Sequence, residues 1–75
     1  MQRVKDPVLL KKIGERIRRL RKEQKLSQVQ LAVLMENHAE QVGRIERGEL
    51  NFTIGTLQKV AESLNTSISY LLTVE

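Results

Sequence analysis

Apolar residues recur along this chain at helical rather than strand spacing, in five runs separated by short polar breaks. In the first run Leu9, Leu10, Ile13, Ile17 and Leu20 repeat at steps of three and four, which is one face of a helix. Asp6 precedes it as a candidate N-cap, and Pro7 takes the first helical position, where a missing amide costs nothing. The spacing predicts a helix to about Gln24, with Leu10, Gly14, Ile17 and Arg21 on the inner side and Lys11, Lys12, Glu15, Arg18, Arg19 and Lys22 outside. Ser27 is the next N-cap, since its hydroxyl can accept from free first-turn amides. Leu31, Ala32, Leu34 and Met35 follow as an apolar face, which Glu36-Asn37-His38 interrupts. Val42 and Ile45 resume it in a helix from about Ala39 to Arg47, and Gly48 stops that helix as a C′ residue does. After a loop from Gly48 to Phe52, Thr53 caps a helix whose stripe is Ile54, Leu57, Val60, Ala61 and Leu64. Asn65 is suited to the left-handed turn that ends it, and Ser67 caps a last short helix with Ile68, Leu71 and Leu72 inward. The expected fold is a compact all-α domain of five helices over residues 1–75, with Met1 to Lys5 a loose N-terminus.

Two short helices joined by a tight turn, at about residues 28–47, make a helix-turn-helix unit, and the small Ala32 suits the close crossing of its two helices. A chain of 75 residues supports one thin core. Its aromatics are one Phe and one Tyr, Phe52 and Tyr70, so aliphatic packing must carry that core. With no cysteine there are no disulfides, thiolate zinc sites or cysteine nucleophiles, which fits a reducing cytoplasm. No apolar run reaches the length of a bilayer span and the N-terminus lacks a signal-peptide core, so no membrane partner is expected.

The formal charge of +4 suggests an anionic partner. It is unevenly placed: residues 1–25 hold ten Lys/Arg against three Asp/Glu, a net of +7, and residues 26–75 hold three against six, a net of −3. A basic run of this kind serves equally as a solvated face. The inventory excludes the common enzyme chemistries. His38 is the one histidine, and no carboxylate cluster stands beside it to complete a metal site, so neither metal nor cofactor is expected. Gly14, Gly43, Gly48 and Gly55 form no phosphate-cradling fingerprint, and Ser63, Thr66, Ser67, Ser69 and Thr73 have no base patterned near them.

Leu26-Ser27-Gln28, Leu31-Ala32, Met35, Val42 and the run Arg44-Ile45-Glu46-Arg47-Gly48 together resemble the lambda-repressor/Cro-like helix-turn-helix domains, the xenobiotic-response-element family. The resemblance extends through Ile13-Gly14, Ile17, Leu20-Arg21, Thr53-Ile54, Thr56-Leu57, Val60-Ala61, Leu64, Ser67 and Leu71-Leu72, and so covers roughly residues 9–73. It implies sequence-specific binding to double-stranded DNA by a transcriptional regulator, with the second helix of the unit in the major groove. By family position His38, Ala39, Glu40, Gln41 and Arg44 are the candidate base readers. Arg44 can bond guanine O6 and N7, Gln41 adenine, Glu40 the N4 donor of cytosine, and Ala39 a thymine methyl. The resemblance places Gln28, at a helix N-terminus whose free amides suit a phosphate, on the DNA backbone with Arg47, Asn51 and Thr53. It also implies a partly buried ion pair between Arg21 and Glu46, and Arg suits such a site because its planar fork takes a carboxylate bidentately.

Short members of the family act as homodimers on two-fold operators. Some are controller proteins of restriction–modification systems, which the Asn51-Phe52-Thr53-Ile54 loop somewhat resembles, and others are phage repressors or antitoxins that bind a toxin and touch DNA secondarily. Ile68, Tyr70, Leu72 and Val74 can supply a dimer seam or close the monomer's core. The chain departs from the family in its turns. Lys25 stands where the first helix usually ends on Gly, and Glu36 where the turn of the unit carries Gly. Asn37 replaces an apolar residue and tolerates a positive φ better than Glu36, so a one-residue shift of the unit would shift the readers with it.

Overall fold

Among the described residues of the computed structural model five helices follow one another: α1 (Pro7–Glu23), α2 (Gln28–Met35), α3 (Ala39–Glu46), α4 (Ile54–Ser63) and α5 (Ile68–Leu72). The residues described are 6–49 and 52–73. The expectations for Met1 to Lys5, Asn51 and Val74 fall outside them. Four caps work as expected. The Asp6 carboxylate accepts from the amides of Val8 and Leu9, and the Ser27, Thr53 and Ser67 hydroxyls accept from the third amide of their helices. At Ser27 the cap is reciprocal, because Gln30 Oε1 accepts from the Ser27 amide at 2.7 Å, a capping box that uses two otherwise orphaned donors.

Helices α1 to α4 all end in the same way. A residue turns left-handed just past each helix: Lys25 (φ 60°), Glu36 (φ 56°), Gly48 (φ 73°) and Asn65 (φ 54°). The next amide reaches back five residues to a carbonyl, Leu26 to Arg21, Asn37 to Ala32, Glu49 to Arg44 and Thr66 to Ala61, at 2.9–3.1 Å. This closure satisfies carbonyls that a helix end leaves open. Only Gly48 among the four adopts that conformation without a Cβ penalty. The left-handed residue of the helix-turn-helix turn is Glu36 and not Asn37, and α3 begins at Ala39, so the unit is not shifted. Asn37 is exposed, and its side chain accepts from the His38 amide at 2.7 Å.

The core gathers Ile13 and Ile17 of α1, Leu31 and Met35 of α2, Val42 and Ile45 of α3, Leu57, Val60 and Leu64, and Leu71 of α5. Each of these apolar side chains contributes about 1.5–3 kcal/mol by leaving water. Phe52 joins them, 3% exposed, though its loop has no period that marks it. Two expected inward positions are exposed instead, Leu34 at 54% and Ile54 at 41%. Helix α3 lies between α1 and α2, while α5 rests on α1 and α4. The α1–α3 crossing is set at Gly14, where a Cβ would stand 2.6 Å from the Glu46 carbonyl oxygen. At the other end of the fold, Gln24 donates from Nε2 to the Leu64 carbonyl at 2.7 Å and ties the end of α1 to the end of α4.

Candidate nucleic-acid interface

Behind α3 lies a buried ion pair. Arg21 donates from Nε to Glu46 Oε2 at 2.6 Å and from Nη2 to Oε1 at 3.0 Å. Both side chains are nearly closed to solvent, 8% and 2% exposed. The third guanidinium nitrogen donates to the Leu26 carbonyl at 2.8 Å, so each nitrogen of the fork has a partner. Hydrogen bonding to Glu46 raises the Arg21 pKa, burial opposes that, and the Glu46 charge adds to it. The pair joins α1, the α1–α2 turn and the end of α3, and thereby fixes how α3 stands against the rest of the fold.

The side chains expected at DNA occupy different settings. Glu40 is exposed in the first turn of α3, where a carboxylate also favours the positive end of the helix. Arg44 is half-buried in the last turn. Gln41 is half-buried, and its Oε1 is buried without a hydrogen-bond partner. Ala39, expected to point outward, is half-buried and packs against the core, because the first turn of α3 leans onto it. His38 is exposed at the N-cap position of α3, and its side chain caps nothing. Thr53 is half-buried as the cap of α4, its hydroxyl accepting from the Thr56 amide at 3.2 Å.

Gln28, Gly43 and Arg47 come together. Gln28 donates from Nε2 to Glu46 Oε1 at 3.1 Å, so the buried pair holds its amide over α3. Gly43 is buried beneath it, not outward as its place on the helix suggests. A Cβ on Gly43 would stand 3.1 Å from Arg47 Nη1 and 3.5 Å from Gln28 Nε2. The missing side chain is what lets these two polar groups converge on one spot. The other edge of Arg47 is taken by Glu49, with Nε to Oε2 at 2.9 Å and Nη2 to Oε1 at 3.2 Å, both side chains being more than half exposed. That pairing raises the Arg47 pKa and lowers that of Glu49.

Sequence reasoning missed three of these links. Ser27-x-x-Gln30 carries the capping-box signal and was open to being read. The Gln28–Glu46 and Arg47–Glu49 contacts have no such local signature. Among the described residues no group of three His, Cys, Asp or Glu is placed to hold a metal ion, and no helix is long and apolar enough to cross a membrane.

Two short helices, α2 and α3, joined by a tight turn at Glu36, with the polar outer face of α3 left open, define a helix-turn-helix protein. The chain belongs to the HTH_3 helix-turn-helix family, whose profile matches residues 17–71, the xenobiotic-response-element type that the motifs resemble. It is similar to the control protein C.SmaI of Serratia marcescens, with 43% identity over 61 residues that make up 81% of this chain and 73% of that protein. Among solved structures it is similar to the restriction–modification controller protein C.AhdI from Aeromonas hydrophila, with 37% identity and a TM-score of 0.80 over 83% of this chain and 94% of that one. It is also similar to SinR, a master regulator for biofilm formation solved in complex with DNA, with 35% identity and a TM-score of 0.76 over 81% of this chain and 98% of that one.

Proposed function

We propose that this protein is a sequence-specific transcriptional regulator that binds double-stranded DNA as a homodimer, with α3 in the major groove of a two-fold operator. The observation that carries this reading is the convergence of Gln28 and Arg47 over Gly43, beside an α3 that the Arg21–Glu46 pair holds in place. Two donors meeting at one spot beside a reading helix suit a phosphate oxygen, and phosphate contacts are what set a protein's register on a duplex. Glu40, Gln41 and Arg44 on α3, with His38 just before it, then face the base edges, Ala39 offers them only the uncovered part of its methyl, and Asn51 and Thr53 extend the backbone contact. SinR, solved in complex with DNA, supports the partner. Similarity to two control proteins supports a role in controlling restriction–modification genes.

The chain acts by binding and not by catalysis, needs no metal or cofactor, and works in the cytoplasm. Ile68, Tyr70 and Leu72, with Val74, form the dimer seam. Ile68 and Leu72 are half-buried, and Tyr70 is 43% exposed with Arg16 against its ring, 4.8 Å from the centroid. Selection of duplexes from a random pool, followed by footprinting, tests the reading. A dimer should protect two half-sites about 10–10.5 base pairs apart, centre to centre, with affinity falling steeply as salt rises. Absence of any protected two-fold site at physiological salt refutes it.

A further inference from the structure

Glu49 does not sit beside Arg47 by chance of a flexible surface. Its amide is the one that closes the end of α3, donating to the Arg44 carbonyl at 2.9 Å. The residue before it, Gly48, turns the chain at φ +73° in a space where a Cβ would stand 2.8 Å from the Lys11 backbone. The backbone from Arg47 to Glu49 is therefore held, with Arg47 as the C-cap of α3 and Glu49 two residues beyond. From there the carboxylate meets the guanidinium with two parallel hydrogen bonds, at 2.9 and 3.2 Å. A DNA phosphate presents the same pair of oxygens to the same edge of an arginine.

We propose that Glu49 is a built-in competitor for the phosphate that Arg47 is placed to bind, so that the protein holds down its own affinity for DNA. This rests on the DNA-binding reading above. A phosphate that meets Nη1 of Arg47 beside Gln28 can gain a two-bond grip only by turning the Nε–Nη2 edge onto itself, which displaces the Glu49 carboxylate and leaves it beside another anion. Both effects oppose binding; an amide in place of the carboxylate removes the repulsion and leaves only a weaker, neutral acceptor to displace. The pair is exposed, so its effect is that of a surface ion pair and is sensitive to salt.

The test compares the whole protein with Glu49→Gln, Arg47→Ala and the double variant on one selected duplex across a salt series. Glu49→Gln should bind more tightly by about twofold to fivefold per protomer at low salt, the range of an exposed ion pair. Its plot of log affinity against log salt should steepen by up to about 0.9 per protomer, as one more phosphate contact is made by an uncompensated cation. In the Arg47→Ala background the same change should do neither. An equal gain in both backgrounds overturns the proposal, since Glu49 would then act only as a distant negative charge. No gain in either background overturns it as well. All four proteins should melt alike, because both side chains are exposed. If the wild-type protein selects no duplex, the DNA-binding reading falls and the competitor with it. If the wild type is footprinted normally and Glu49→Gln changes nothing, only the competitor falls.

Discussion

Replacing Glu46 by alanine should come close to unfolding the protein. The carboxylate accepts three hydrogen bonds, from Arg21 Nε at 2.6 Å, Arg21 Nη2 at 3.0 Å and Gln28 Nε2 at 3.1 Å. After the substitution Arg21 keeps only its bond to the Leu26 carbonyl, at a site where its side chain is 8% exposed in the intact protein. A cation stranded in such a place costs about 3–5 kcal/mol. A chain of 75 residues at the usual stability per residue has about 4–11 kcal/mol in all. The loss is therefore about a quarter of the total or more. At about 4–8 °C per kcal/mol for a domain of this size, Tm should fall by more than about 12 °C in thermal melts followed by circular dichroism.

Two companions separate the causes. Glu46→Gln keeps the shape and an acceptor, so it should lose less, about 1.5–3 kcal/mol, the worth of a charged hydrogen bond. The double change Arg21→Met with Glu46→Leu removes both charges and should recover most of the stability, since a buried pair exchanged for apolar groups is often near neutral. No pH dependence around neutrality should come from Arg21. Its pKa is raised in the fold, so its contribution is fully present below the ordinary arginine range and is lost only above it. A Glu46→Ala melt within about 4 °C of wild type refutes the reasoning, as does a double variant that falls as far as the single one.

Arg44→Ala should lower affinity by about 1–3 kcal/mol and relax one operator position, whereas Gln28→Ala should weaken binding evenly across sequences; matched binding profiles over duplex variants check this, and identical profiles would mean α3 is not the reader. Gly43→Ala should leave the melt nearly unchanged, since the nearest atom to the new methyl is the far end of the Arg47 side chain at 3.1 Å, yet weaken DNA binding measured by titration by pushing Arg47 and Gln28 apart. Glu36→Gly should raise stability in a denaturant titration by about 0.5–1 kcal/mol, because relief of left-handed strain of about 1–2 kcal/mol is offset in part by the greater freedom of glycine in the unfolded chain. The Glu49 carboxyl should titrate by NMR below its ordinary value, chiefly because Arg47 hydrogen-bonds to it. In Arg47→Ala that pKa should rise; with the arginine present, the ion pair holds above the ordinary carboxylate range and is lost as pH falls through the lowered pKa.

Five helices were legible because burial along a helix leaves a period in the sequence, and the cap residues Asp6, Ser27, Thr53 and Ser67 sit just outside four of the five runs. The period marks which residues are apolar, not how wide an arc the neighbours cover. Leu34 and Ile54 fit the spacing yet stay 54% and 41% exposed, because their neighbours cover only part of their side of the helix. Phe52 is the converse, an apolar side chain that reaches the core from a loop with no period at all. Lys25 and Glu36 were marked by standing where related chains carry Gly, and both adopt the strained conformation, since the closure they complete is shared by four helix ends.

The polar links of the candidate interface obey a different logic. Gln28 and Glu46 are eighteen residues apart and meet only because α2 and α3 pack together. Arg47 and Glu49 are two apart, a spacing whose side chains diverge on a helix. They meet only because the helix ends between them, with Gly48 swinging the chain to φ 73° so that Glu49 returns to Arg47. The same glycine that stops α3 thus sets an anion against the cation proposed to meet DNA. Continuing the helix through residue 48 should part Glu49 from Arg47. A Gly48→Ala variant is barred from the test by the Lys11 backbone, which a methyl would meet at 2.8 Å, so the competitor must be removed at Glu49 itself and not at the turn that delivers it.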